Sequence, residues 1–155
     1  MIKDNSAALT AKVIAGTPFD FYEDSPFNFN DHYKEIDALI PSARFILTTR
    51  EPQAWCSSFI RWRNFLLKEG HDINTLAFAD FVYGRGIEEE NREHLVRCYQ
   101  KRNKEIKAYF APKPEKLCII PLEMDSESKW NRLCSFLGVA KVPSVPWPHK
   151  NPTPT

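Results

Sequence analysis

Ala43-Arg44-Phe45-Ile46-Leu47-Thr48-Thr49-Arg50-Glu51-Pro52-Gln53-Ala54-Trp55-Cys56-Ser57-Ser58 reads as a strand, an arginine, a proline and then a helix. Phe45-Ile46-Leu47 is a short apolar run, partly β-branched, preceded by Pro41 and closed by polar residues. That is the pattern of a parallel strand buried on both faces. Pro52 suits the first turn of a helix, where its missing N–H costs nothing. Arg50 therefore stands at the carboxyl end of a strand, the place where open α/β sheets put their ligand sites. Ser58 lies about two turns into the helix. A forked cation and a hydroxyl donor converging on one point suit a phosphate.

Working outward, the chain alternates strands with helices. A short helix is expected over residues 6–15 and a strand over Phe19 to Glu23, where aromatic and polar residues alternate. A helix over 27–40 carries Tyr33, Ile36, Leu39 and Ile40 and ends at Pro41. The strand of Arg44 to Thr49 is followed by the long helix of Pro52 to Lys68, with Trp55, Phe59, Trp62, Phe65 and Leu66, and Gly70 stops it. Asn74 can cap a helix over 75–83, which Gly84-Arg85-Gly86 breaks. Glu88 to Phe110 reads as a second long helix, acidic at its start and basic later, as the macrodipole prefers. Lys116 to Pro121 is the next strand, and Ser126 or Ser128 opens a last helix that closes at Gly138. A Pro-rich tail, about 142–155, is expected to be extended. This order predicts an α/β fold: one small parallel sheet of about three strands flanked by helices, in a single domain over 1–155.

The bulk properties exclude several classes. Lysine and arginine total 21 against 20 acidic residues, so no net field favours nucleic acid or an anionic membrane. Cys56, Cys98, Cys118 and Cys134 are scattered and form no Cys-x-x-Cys; small apolar residues in a reducing compartment are the expectation. The four histidines are scattered too, so no metal site is expected. No signal peptide is visible, and no apolar run approaches the roughly 20 residues needed to span a bilayer. The chain is expected to be cytoplasmic.

The stretch Phe45-Ile46-Leu47-Thr48-x-Arg50-x-Pro52-x-x-Trp55-x-x-Ser58 resembles the nucleotide signature of the sulfotransferases, above all the small, P-loop-related sulfotransferase-like family. Trp130-Asn131-Arg132-Leu133-Cys134-Ser135-Phe136-Leu137-Gly138 looks like that family's late helix, with Lys129 where a glycine is usual. Pro143, Pro146-Trp147-Pro148-His149 and Asn151 resemble its closing segment, and Asp24-Ser25-Pro26 its Asp-x-Pro motif. Arg102-Asn103 stands where the family often shows His-Asn. The resemblance spans about Phe19 to Asn151, in order.

The resemblance implies a PAPS-dependent activity, in which a sulfuryl group passes from 3′-phosphoadenosine 5′-phosphosulfate to a hydroxyl or amine of a small-molecule acceptor. It assigns Arg50 and Ser58 to the 3′-phosphate, with Ser57 as the neighbour that takes the role if the register slips. It also implies a Gly-rich phosphate loop near the N-terminus, and nothing here fits one. The five glycines include no pair that makes such a cradle; Gly16-Thr17-Pro18 is a lone Gly before a Pro. In the related fold the loop's strand lies between the strands that correspond to Arg44 to Thr49 and Lys116 to Pro121. A chain truncated there must close its sheet around the loss or find a strand elsewhere. Three readings stay open: a sulfotransferase-family protein inactive alone, one half of a composite enzyme, or a non-catalytic nucleotide-binding or interaction remnant.

Several residues carry two readings. Trp55 reads as core packing ahead of a base-stacking platform. Asp24 is a helix cap before a site residue. Asp24, His32 and His149 are the candidates for a general base, and none is singled out. Arg102 either meets substrate or shares a charged face with Arg97, Lys101 and Lys104. A sheet short of a strand predicts a homodimer through the sheet or the aromatic helix, the alternative being a monomer in which Ala7 to Ile14 folds over the gap.

Overall fold

The computed structural model describes Ile14, Gly16, residues 31–70 and residues 87–148. The chain divides into two compact units, Met1–Phe45 and Ile46–Thr155. In the first, helix α1 spans His32–Leu39 and buries Tyr33, Ile36 and Asp37. The helix opens at Asp31, whose carboxylate pairs with Lys34 at 3.1 Å, and the Ile40 N–H returns to the Ile36 carbonyl. Of the predicted helix over 6–15 only Ile14 is described, and it is helical; the strand over 19–23 and the helix over 75–83 lie outside the described residues.

The second unit holds the sheet. Strand β1 is Phe45–Thr49 and strand β2 is Leu117–Pro121, and they pair directly as a two-stranded parallel sheet. The fold is thus α/β as expected, with two strands rather than three among the described residues. Among the described residues no strand stands between β1 and β2. Burial corrects one detail of the sequence reading. β1 alternates half-buried and exposed positions, with Ile46 at 37% exposure, so only one of its faces is covered. β2 buries Cys118 and Ile120 fully, which suits its richer apolar pattern.

Three helices flank this sheet in sequence. Helix α2 is Pro52–Lys68, as predicted; Glu51 caps it by accepting the N–H groups of Gln53 (3.0 Å) and Ala54 (2.7 Å). Gly70 takes a left-handed φ of 79° just after its end. Helix α3, Arg92–Phe110, starts later than its acidic run suggests, because Glu89–Asn91 forms a 3-10 turn ahead of it. α2 packs on α3 around Cys56, Ile60, Ile87, Leu95 and Val96, with Trp55, Phe59 and Trp62 leaning against that core. Lys116 likewise belongs to a 3-10 turn, so β2 starts one residue late. Helix α4 is Ser126–Leu137; Asp125 is its cap, accepting the Ser128 N–H at 2.8 Å, and Gly138 ends it at φ 73°. α4 packs on β2 and buries Cys134.

The tail is held rather than loose over its described part. Trp130 donates its indole N–H to the Val145 carbonyl at 2.9 Å, and its ring lies 4.7 Å from that of Trp147. The Trp147 N–H bonds the Ser126 hydroxyl. Trp130, expected as a core residue of α4, is half-buried and fastens this segment. No helix among the described residues is long and apolar enough to cross a membrane.

Candidate functional site

Arg50 and Glu51 form the step from β1 into α2, at the carboxyl end of the sheet. Three contacts fix that step. The Leu122 N–H bonds the Thr49 carbonyl at 2.7 Å, continuing the ladder beyond the strands. The Glu51 N–H bonds Oε1 of Glu123 at 2.7 Å, tying the turn after β1 to the turn after β2. The Tyr99 hydroxyl, from α3, accepts the Arg50 N–H at 2.8 Å and donates to the Arg50 carbonyl at 3.2 Å. One phenol thus satisfies both main-chain groups of Arg50 where the strand has run out of partners.

Tyr99 is itself held. It is 9% exposed and its ring stacks on Trp55 with centroids 4.3 Å apart and planes 13° from parallel. Trp55 continues into Phe59 (5.2 Å), and Phe59 stacks on Trp62 (5.8 Å). Trp55, Ser58, Phe59 and Trp62 follow helical spacing along one face of α2, next to the Cys56 and Ile60 face that enters the core. With Arg50, Thr48 and Leu122 they wall a cleft of about 360 Å³.

Arg50 and Ser58 therefore share one concavity, as their spacing from a strand end and a helix face implies. Among the described residues, no hydrogen bond or ion pair engages the Arg50 guanidinium or the Ser58 hydroxyl. Ser57, the neighbouring alternative, is otherwise engaged: its hydroxyl accepts from Nη1 of Arg92 at 3.0 Å. A guanidinium and a hydroxyl beside an aromatic wall fit a phosphorylated nucleoside: the cation and hydroxyl for the phosphate, the rings for the base. Trp55 leans on the core, as the packing reading expects, and also lines the cleft.

On the other side of Arg50 lies a larger cleft, about 610 Å³, that shares Thr49, Arg50 and Tyr99 with the first. Its far wall is α3, through Gln100, Asn103, Lys104 and Lys107, and Glu51 and Glu123 border it. The Glu51 N–H accepted by Glu123, with the nearby Arg50 and Lys129 charges, holds the Glu123 carboxyl below its ordinary range. It is an ionised carboxylate at neutral pH.

Sequence reasoning missed Tyr99, Glu123 and Lys107. A usable signal existed for Glu123: it follows β2 much as Arg50 follows β1, and site residues gather at strand carboxyl ends. Arg102 lines neither cleft, whereas its neighbours Asn103 and Lys104 line the larger one. Of the proposed general bases, His32 belongs to the first unit, and Asp24 and His149 lie outside the described residues. No disulfide joins any of the four cysteines, and burial pushes the Cys56 and Cys118 thiols up. Among the described residues no group of His, Cys, Asp or Glu is placed to hold a metal ion.

Open α/β sheets place their ligands outside the carboxyl ends of the strands, which is where both clefts lie. The family model described as Sulfotransferase domain matches residues 10–155, and the chain belongs to that family. Its general function is of the sulfotransferase type. No curated protein matches the chain.

Proposed function

We propose that the chain binds PAPS, with the guanidinium of Arg50 and the hydroxyl of Ser58 on the 3′-phosphate and the Trp55–Phe59–Trp62 wall beside the nucleoside. The supporting observation is the shared cleft, which both side chains line and in which no hydrogen bond or ion pair engages the guanidinium or the hydroxyl among the described residues. PAPS supplies the sulfuryl group, and a hydroxyl or amine of a small molecule accepts it. The chain's own residues bind and orient the nucleotide: Tyr99 holds the Arg50 main chain, and Glu51 caps the helix that presents Ser58.

A second reading has its own support. β1 and β2 pair directly, leaving no strand position between them for a phosphate loop. On that reading the chain grips the nucleotide without completing transfer alone. Cytoplasmic residence accompanies either reading and is consistent with thiols that form no disulfide. A homodimer accompanies both as well, supported by exposed Ile46 and Leu122 at the sheet and Phe65 on α2.

Calorimetry with adenosine 3′,5′-bisphosphate tests the shared claim. Arg50→Ala is expected to weaken binding by about 1.5–3 kcal/mol, the range of a charge-assisted contact. Equal affinity of the two proteins would sink the assignment. Following labelled sulfate from PAPS to a panel of phenols and amines separates the readings: turnover favours the enzyme, and binding without turnover the second reading.

A further inference from the structure

We propose that the larger cleft is a second anion-binding subsite, in which Lys104 and Lys107 hold a phosphate, sulfate or carboxylate group. Both lysines come from one face of α3, in register with Gln100 and Asn103, whose amides supply neutral donors beside the cations. The other charges of this helix are differently placed. Arg97 pairs with Glu93 at 3.5 Å and Lys101 with Glu105 at 3.8 Å, away from the cleft. Among the described residues Lys104 and Lys107 join no ion pair.

The cleft keeps a net positive charge, with Arg50, Lys104 and Lys107 against Glu51 and Glu123. Glu51 spends both oxygens on the Gln53 and Ala54 N–H groups, and Glu123 spends Oε1 on the Glu51 N–H. Each carboxylate is thereby turned to the main chain, while Arg50, Lys104 and Lys107 line the same space. Lysine suits this role as a mobile point charge, where Arg50 supplies a directed fork. Because Arg50 and Tyr99 belong to both clefts, a ligand with two anionic groups can lie across Arg50 with one group on each side.

The nucleotide end of this picture rests on the reading of Arg50 and Ser58 given above, so the experiment keeps the two apart. The full chain and the Lys104→Gln/Lys107→Gln variant are titrated by calorimetry with adenosine 3′,5′-bisphosphate, adenosine 3′-monophosphate and pyrophosphate. Glutamine keeps helix propensity close to lysine, and circular dichroism checks the fold. The variant is expected to bind the bisphosphate at least about tenfold more weakly and the monophosphate unchanged. That result places the second anion on the nucleotide itself. Unchanged nucleotide binding with at least about tenfold weaker pyrophosphate binding supports the subsite and assigns it to a separate anionic molecule. If the wild type binds pyrophosphate in a lysine-dependent way and neither nucleotide, the subsite stands and the nucleotide reading fails. If the bisphosphate binds in an Arg50-dependent way and the double variant matches wild type for all three probes, the subsite is overturned alone. Binding of none of the three by wild type overturns both.

Discussion

Arg50 is placed by its main chain, and the residue that places it is Tyr99. A phenol that both accepts the Arg50 N–H and donates to the Arg50 carbonyl controls where the guanidinium starts. Tyr99→Phe keeps the ring on Trp55 and removes only the hydroxyl. It is expected to weaken adenosine 3′,5′-bisphosphate binding by about 0.5–1.5 kcal/mol, the net worth of neutral hydrogen bonds. In an Arg50→Ala background the same change should add nothing. A merely structural role would cost the same in both backgrounds, so a double-mutant cycle by calorimetry separates them. This contact spans 49 positions of sequence. Arg50 was legible because proline, strand and helix signals crowd around it; Tyr99 was not, because a tyrosine in a helix of mixed charge has no local mark that it meets a strand end. The same holds for Lys104, which reads as surface charge until the fold turns that face toward Arg50.

At the scale of elements, helix starts were legible where a cap or proline announces them and less so where turns precede them. Pro52 marked α2 to the residue, with Glu51 as cap. α3 was placed too early, because Glu88, Glu89 and Glu90 read as a favourable first turn while the chain spends Glu89–Asn91 on a 3-10 turn. There Arg92 pairs with Glu89 and bonds Ser57, so the acidic run serves a tertiary contact as well as the dipole. α4 shows how a cap becomes a pH dependence. The Ser128 side-chain and main-chain hydrogen bonds hold the Asp125 carboxyl below its ordinary range. A carboxyl with a depressed folded pKa stabilises the fold fully above its unfolded pKa, near 4. That contribution is lost as pH falls through the folded value. Melting temperature should therefore be flat near neutrality and fall below about pH 4. Asp125→Asn, which caps without titrating, should make the acid limb shallower in thermal melts followed by circular dichroism. An unchanged acid limb would place the titrating groups elsewhere, with Glu123 and Glu89, also held below their ordinary range, as the remaining contributors.

For the whole molecule, the sheet poses the main question. Two parallel strands that pair only with each other leave outer edges among the described residues, and a two-stranded unit is marginal in water without cover. The alternation along β1 puts Ile46 and Thr48 on its exposed face, and Leu122 just past β2 is 41% exposed beside them. The sequence reading expected β1 to be buried on both faces, and its Phe45-Ile46-Leu47 run is written as if a second layer covered Ile46. In the homodimer proposed above, a second copy of the chain supplies that layer by the commonest symmetry, a twofold that brings the same apolar patch onto itself. Light scattering at micromolar protein is therefore expected to give twice the 18.0 kDa chain mass. Ile46→Lys tests the surface as well as the state. Its side chain is already partly in solvent, so the charge leaves the Cys56–Leu95 core intact and should yield a folded monomer. A wild type of single-chain mass rejects the dimer. A variant that stays dimeric with an unchanged melting temperature moves the interface to α2, where Phe65 is the next exposed apolar side chain, and Phe65→Lys then becomes the deciding substitution.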